Sequence, residues 1–339
     1  MTSVSFIIHP TDLKRMGVLE NYNRKKAPLQ WHGDNLKGLQ ARLEGIGVEV
    51  LKSWESKGSR CNRVQHLENI ISADYTIAFA SPDLFFDNFL PQFGSGTLFN
   101  DIRMEFLNKA NNGKALLVNY RPFICGPWLW VDRVPVMSGE SSLSLQKQPQ
   151  AINEWVNLGA IIMSGDFSKD SSGVILPTIN SFSSAWPRSI NGAGKSLSFI
   201  AASNDEDNIK KNLFFRQICR AFEYYSVELR LSWGVETGSN IYEHYDYVNR
   251  GNAFVGFLSS SFLADELISN QFMRAIVEAG NRGKLVLAGL NPTMVEFSPL
   301  SSMLSAIIPE ASDLSRRNEA ESLPVWQNIL IKVMEKLGS

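Results

Sequence analysis

The chain carries one pattern twice, and this duplication limits its fold more than any other feature. The first copy reads Ser72-Ala73-Asp74-Tyr75-Thr76-Ile77-Ala78-Phe79-Ala80-Ser81-Pro82-Asp83-Leu84-Phe85-Phe86. The second reads Asn249-Arg250-Gly251-Asn252-Ala253-Phe254-Val255-Gly256-Phe257-Leu258-Ser259-Ser260-Ser261-Phe262-Leu263. Each is followed by a helical run ending in Asn-x-Gly-Lys (Asn111 to Lys114; Asn281 to Lys284). An apolar strand comes next, Ala115-Leu116-Leu117-Val118 and Leu285-Val286-Leu287-Ala288. Strand, Ser-rich turn, helix and strand in fixed order, twice, predict two copies of one α/β unit. Their separation is too long for a solenoid, so tandem domains are expected.

A chain of 339 residues suits two domains of ordinary size. Tyr75 to Ala80 is near-continuously apolar, as a parallel strand buried on both faces should be. The alternation of strands and helices predicts α/β domains of flavodoxin-like kind, each a parallel sheet flanked by helices. The boundaries read 1–163 for the first domain, 164–196 for a linker rich in Ser, Gly, Asn and Pro, and 197–339 for the second. In the first copy, strands are expected at 4–8, 48–51, 75–80 and 116–120, and helices at 35–45, 64–71, 98–110 and 151–158. In the second, strands are expected at 197–201, 227–231, 253–258 and 285–290, and helices at 209–224, 240–248, 271–279 and 325–337. Pro122 to Ser138, with Trp128, Trp130 and three prolines, should be irregular.

The net charge of -1 argues against a nucleic-acid binder driven by bulk electrostatics. No run is long enough for a membrane helix, and the start Met1-Thr2-Ser3 lacks the basic region of a signal peptide. Cys61, Cys125 and Cys219 are scattered, without zinc-ligand spacing, so a cytoplasmic protein without a metal site is expected. His9, His32, His66 and His244 do not cluster in sequence. Gly192-Ala193-Gly194-Lys195-Ser196 ends like a phosphate-binding loop. Ser189 replaces its first glycine and a strand follows instead of a helix, so it reads as the end of the linker.

Further pieces repeat in order. Phe6-Ile7-Ile8-His9-Pro10-Thr11-Asp12 and Phe199-Ile200-Ala201-Ala202-Ser203-Asn204-Asp205 match a strand and turn of the type F-I-S-Y-S-x-x-D. Gly47-Val48-Glu49-Val50 with Lys57-Gly58-Ser59, and Val227-Glu228-Leu229 with Thr237-Gly238-Ser239-Asn240-Ile241, form a second block. Ala73-Asp74 through Ser81-Pro82-Asp83-Leu84-Phe85, and Asn252-Ala253 through Leu263, match A-D-x-x-x-x-L-S-P-x-F/L. Arg121-Pro122-Phe123 with Trp128 and Pro135 is similar to R-P-x-x-W and the Pro-rich loop after it. In this order the pieces resemble the TIR domain (Toll/interleukin-1 receptor homology) of bacterial type, over residues 4–160 and 197–337. Another flavodoxin-like or deoxyribosyltransferase-like unit stands as the alternative.

The resemblance implies a signalling protein of a bacterial anti-phage or stress-response system. It would act through self-association or association with other TIR proteins, with NAD as substrate or ligand, no required cofactor, and no nucleic-acid or membrane partner. Catalytic TIR domains cleave or cyclise NAD with a glutamate on the helix after the third strand. A carboxylate there stabilises the oxocarbenium character that develops on the ribose. In the second copy that position falls on Gln271 or Phe272, so the copy is expected to be inactive. In the first it falls on Asp101 or Arg103. Asp101 and Glu105, four residues apart on one helical face, are the candidate catalytic carboxylates, with a solvated helix surface as the alternative. His9, Pro10, Thr11, Trp54 and Ser81 are the candidate ligand-binding residues. Trp54 and Trp233 occupy matched places after each second strand, where an aromatic ring either stacks on a nucleotide or packs. Three readings follow: signalling by association, an NAD nucleosidase with its site in the first domain, and a nucleotide sensor that binds without cleaving.

Overall fold

The computed structural model describes residues 2–18, 29–52, 63–84, 98–124, 134–137, 142–178, 192–233, 240–293, 295, 298–308 and 313–338. The chain divides into two compact units, Met1–Ala185 and Trp186–Ser339. Unit 1 comprises β1 (Ser3–Ile7), α1 (Pro10–Arg15), α2 (Gln30–Gly45), β2 (Glu49–Lys52), α3 (Arg63–Ser72), β3 (Tyr75–Ala80), α4 (Pro82–Leu84), α5 (Leu98–Asn111), β4 (Ala115–Asn119), β5 (Val136–Met137) and α6 (Gln148–Ser164). Its sheet is parallel, in the order β2-β1-β3-β4-β5.

Unit 2 comprises β6 (Ser196–Ile200), α7 (Glu206–Lys211), α8 (Leu213–Tyr224), β7 (Glu228–Leu231), α9 (Ile241–Asn249), β8 (Ala253–Leu258), α10 (Ser260–Ala264), α11 (Met273–Asn281), β9 (Leu285–Gly289) and α12 (Glu319–Gly338). Its sheet is also parallel, in the order β7-β6-β8-β9. Each unit is thus an α/β structure with a parallel sheet flanked by helices. Among the described residues no helix is long and apolar enough to cross a membrane.

The same physical devices build both units. Alternation along the strands sends Val4, Phe6, Ile77, Phe79, Leu116 and Val118 into one core with Leu36 and Leu39 of α2 and Trp155 of α6. Trp155 stacks on Phe79 with ring centres 5.6 Å apart, and Phe79 lies 6.1 Å from Phe6. Unit 2 repeats the trio, with Phe257 at 6.1 Å from Phe199 and 5.9 Å from Trp326 of α12. Both tryptophans are fully buried.

The repeated Asn-x-Gly-Lys is a helix stop. Gly113 and Gly283 both take φ +68°, and the next lysine N–H reaches back to the Lys109 carbonyl (2.8 Å) or the Ala279 carbonyl (2.7 Å). At the amino edge, Asp74 Oδ2 accepts from the Ser3 N–H (2.8 Å) and hydroxyl (3.1 Å). In unit 2 Asn252 Oδ1 does the same for Ser196, at 2.8 and 2.9 Å.

Several sequence expectations need correction. The helix expected at 35–45 begins at Gln30, so Trp31, His32 and Gly33 are helical. A Cβ on Gly33 would lie 2.1 Å from the Met16 carbonyl oxygen, so this glycine permits a close approach of chain segments. The helix expected at 209–224 is two helices. Asn212 breaks it by turning extended and accepting the N–H groups of Phe214 (3.0 Å) and Phe215 (3.1 Å). The irregular stretch 122–138 supplies β5, paired to β4.

The first part of the expected linker 164–196 is packed structure of unit 1. Phe167 is buried against Tyr75, with ring centres 5.0 Å apart. The Val136 N–H donates to the Pro177 carbonyl at 2.8 Å. Isolated apolar residues in a Ser/Gly-rich stretch carry no periodicity, so this anchoring is invisible to pattern reading.

Candidate functional site

In unit 1 the order of the sheet reverses between β1 and β3. Chain connections leave these neighbours in opposite directions, and the switch point between their carboxyl ends is where open parallel sheets usually place a ligand crevice. The segments that follow β1, β3 and β4 converge there. After β1 the chain turns through His9 (φ -67°, ψ 143°), which caps α1 with Pro10 at its first position. His9 Nδ1 accepts the Thr11 N–H at 3.2 Å. The His9 carbonyl takes the N–H groups of Asp12 (2.9 Å) and Leu13 (3.1 Å). After β3 comes Ser81, whose Oγ accepts the Leu84 N–H at 3.1 Å and so caps α4. After β4, the N–H of Arg121 donates to the Ala80 carbonyl at 3.0 Å, which fixes Arg121 beside the end of β3.

These segments build a buried charged cluster. Asp12 has no exposed surface; its Oδ2 accepts from the Ser81 hydroxyl at 2.6 Å and its Oδ1 from Arg121 Nη1 at 2.9 Å. The same Nη1 donates to Asp83 Oδ2 at 2.6 Å. Arg121 is 2% exposed, whereas the Asp83 side chain is 16% exposed and is the member that meets solvent. Burial pushes the Asp12 carboxyl above its usual range. Arg121 and Ser81 pull it back, and the nearby Asp83 charge adds to the rise. Removing one partner of such a pair is costly, since it strands a buried charge.

Ligand atoms of His9, Asp12 and Asp83 all lie within 4.8 Å of one another, a donor set that suits a divalent cation by type. The guanidinium already bridges the two carboxylates and Ser81 takes the other Asp12 oxygen. A metal ion would therefore meet a guanidinium already bound to both carboxylates, and repulsion from this internal cation argues against a resident metal.

Unit 2 serves as an internal control. Ser259 caps the helix after β8 through the Phe262 N–H (2.9 Å), and its hydroxyl donates to the buried Asp205. The Asp–Ser latch is thus common to both units and belongs to the scaffold. At the positions of His9, Asp83 and Arg121, unit 2 has Ala202, Ser261 and Asn291. Asn291 instead accepts from the Ser315 hydroxyl. Among the described residues, the three positions that are ionisable around the latch in unit 1 are thus not ionisable in unit 2.

The sequence-predicted site residues divide as follows. His9, Pro10 and Ser81 lie at the carboxyl edge of the sheet by β1 and β3, and Thr11 is exposed with its N–H taken by His9 Nδ1. Trp54, Trp128 and Trp130 fall outside the described residues. Trp233 is 6% exposed with its ring 6.1 Å from Phe215, which is core packing. Asp101 is in the first turn of α5, but its side chain is not among those described.

Glu105 is half-buried, and its charge acts on Lys109, one turn further on. The Lys109 ammonium reaches the Ala73 carbonyl below the start of β3, at the amino edge of the sheet. Glu105 is about 6 Å along the helix from Lys109. Ser81, by contrast, lies about 25 Å of extended chain beyond Ala73. Glu105, the eighth of the 14 residues of α5, therefore lies near mid-helix, between the two edges of the sheet. In unit 2, Phe272 is fully buried in the core, and the Gln271 carbonyl accepts from Asn249 Nδ2 at 2.9 Å.

Sequence reading missed Asp12, Asp83 and Arg121 as site members, although each stands in a quoted motif. The available signal was positional: a charged residue within five positions after β1, β3 and β4 of one parallel sheet.

No family model matches this chain, and no curated protein matches it. Among solved structures, one similar chain is described as a transcription regulation repressor of the LacI family from Corynebacterium glutamicum. It is 12% identical over 98% of this chain and 90% of its own, with a TM-score of 0.21. Another is an uncharacterized protein from Actinobacillus succinogenes, 10% identical over 100% of this chain and 91% of its own, with a TM-score of 0.19. Superposition at that level supports no conclusion about fold or activity for this chain.

Proposed function

We propose that this chain is a tandem TIR-like signalling protein in which unit 1 binds a nucleotide of the NAD type and unit 2 is a degenerate scaffold copy. The observation that carries this reading is the asymmetry of the two latches. Both units keep Asp–Ser at the carboxyl edge, and only unit 1 adds His9, Asp83 and Arg121. A site elaborated on one copy of a duplicated scaffold is expected when one copy keeps a ligand and the other keeps only the fold.

Within this proposal, binding without cleavage is favoured over hydrolysis. This preference rests on the sequence: the resemblance puts its catalytic glutamate at Asp101 or Arg103 in the first copy, with Glu105 one helical turn from Asp101. Association of copies, in a cytoplasmic anti-phage or stress-response setting, belongs to the same proposal and rests on the resemblance alone.

The test is calorimetry of the full chain with NAD and ADP-ribose, alongside assay of nicotinamide release. Binding that His9→Ala abolishes, with no nicotinamide released, is the expected result. Turnover lost in Asp101→Asn or in Glu105→Gln would shift the reading to a nucleosidase. No heat with either ligand would reject the nucleotide-binding reading. Light scattering with and without nucleotide tests the association, and a strict monomer in both states counts against it.

A further inference from the structure

The protein chemistry of the crevice says which end of a ligand can lie there. We infer that the β1–β3 crevice receives the sugar hydroxyls of its ligand, with Asp83 as their acceptor, and that phosphate groups lie outside it. This inference rests on the proposed nucleotide binding and adds the polarity of the bound molecule.

The turn from β1 into α1 is closed to anions. A phosphate-binding turn needs several backbone N–H groups pointing outward at a helix start. Here Pro10 has no N–H, and the Thr11 N–H is taken by His9 Nδ1. The N–H groups of Asp12 and Leu13 are taken by the His9 carbonyl. The charge count points the same way. Asp12 and Asp83 against Arg121 leave one net negative charge in the cluster, and both oxygens of Asp12 and the bridging Nη1 are engaged internally. A dianionic group placed there would meet repulsion at low dielectric.

The cluster does present an acceptor. Arg121 holds Asp83 by Oδ2, and Oδ1 makes no hydrogen bond with any described residue. A carboxylate pinned by one oxygen, in a side chain that keeps 16% of its surface exposed, is preorganised to accept from a ligand O–H, and a hydrogen bond to a charged acceptor is among the stronger kinds. A salt bridge fixes its direction, so little side-chain freedom is lost on binding. Unit 2 has Ser261 at this position and no arginine behind it, so it lacks the feature.

The experiment measures affinity of the full chain for ADP-ribose and for analogues lacking ribose hydroxyls, together with pyrophosphate alone as competitor. The unmodified protein should lose at least about tenfold in affinity for the dideoxy analogue. Pyrophosphate should not compete, and Asp83→Asn, checked for folding by circular dichroism, should bind both sugars equally weakly. Equal affinity of the unmodified protein for hydroxylated and deoxygenated ligands overturns the inference while leaving nucleotide binding intact. Competition by pyrophosphate overturns it too. Absence of binding by every compound overturns both this inference and the reading on which it rests.

Discussion

His32 should make unit 1 acid-sensitive. It lies in α2 with no exposed surface, and its Nδ1 accepts from the indole N–H of Trp155 at 3.2 Å. That bond joins α2 to the closing helix α6. The imidazole is hemmed in by Trp31, 3.6 Å away between ring centres, and by Tyr120 at 5.6 Å. Burial lowers its pKa from 6.5 to about 4. The neutral ring carries its proton on Nε2, which has no hydrogen-bond partner, and a second proton on Nδ1 would face the Trp155 donor.

The sign follows directly. Above 6.5 the ring is neutral in both folded and unfolded chains and stability is unaffected. Between 6.5 and about 4 the unfolded chain takes up the proton first, so stability falls as the pH falls. Below about 4 both forms are charged and the loss levels off. The full depression, 6.5 minus 4, corresponds to about 3 kcal/mol, of which about 2.5 kcal/mol is lost between pH ~7.5 and pH ~4.5.

The assay is urea unfolding followed by tryptophan fluorescence at those two pH values, on the unmodified chain and on His32→Gln. An amide can still accept the indole N–H but cannot titrate. The variant is expected to be weaker at neutral pH by about 1–2 kcal/mol, from imperfect packing, and to lose about 2.5 kcal/mol less on acidification. Equal acid sensitivity of the two proteins would refute the placement of a neutral histidine in this core.

Other consequences are open to simpler checks. Arg121→Met strands Asp12 and Asp83 together and should cost about 3–5 kcal/mol near neutral pH, with part of the loss recovered in the double variant carrying Asp12→Asn; thermal melts read both. The Arg121→Met penalty should shrink in acid, because Asp12 is already raised and protonates readily once its cation is gone. Ser81→Ala and Ser259→Ala each remove a helix cap and one partner of a buried carboxylate, at about 2 kcal/mol apiece in chemical unfolding. Only Ser81→Ala should also weaken ligand binding. Ser226 holds φ 60° at the helix end where unit 1 uses Gly47 at φ 86°, so Ser226→Gly should raise stability by up to about 1 kcal/mol.

The parts of this structure legible in sequence are those specified locally. The Asn-x-Gly-Lys repeats read as helix stops because glycine at positive φ is a local requirement. β3 and β8 read as buried parallel strands because their runs are near-continuously apolar. Where long-range contacts decide, pattern reading stops. Helix α2 runs through Trp31 and Gly33 because packing against preceding residues outweighs glycine's poor propensity. Phe167 anchors a stretch that looks like linker. The charged cluster shows the same limit. Ser81 lies 69 positions from Asp12, and Arg121 lies 109 positions from it. Order in the sheet brings them together, and no spacing rule announces it.

The asymmetry between the units is tested most directly by the stoichiometry of ligand binding to the full chain. Calorimetric titration with ADP-ribose should give one site per polypeptide, lost in His9→Ala and untouched by Ser261→Ala or Asn291→Ala. Two equivalent sites, or a single site that disappears when the unit 2 positions are changed, would contradict it.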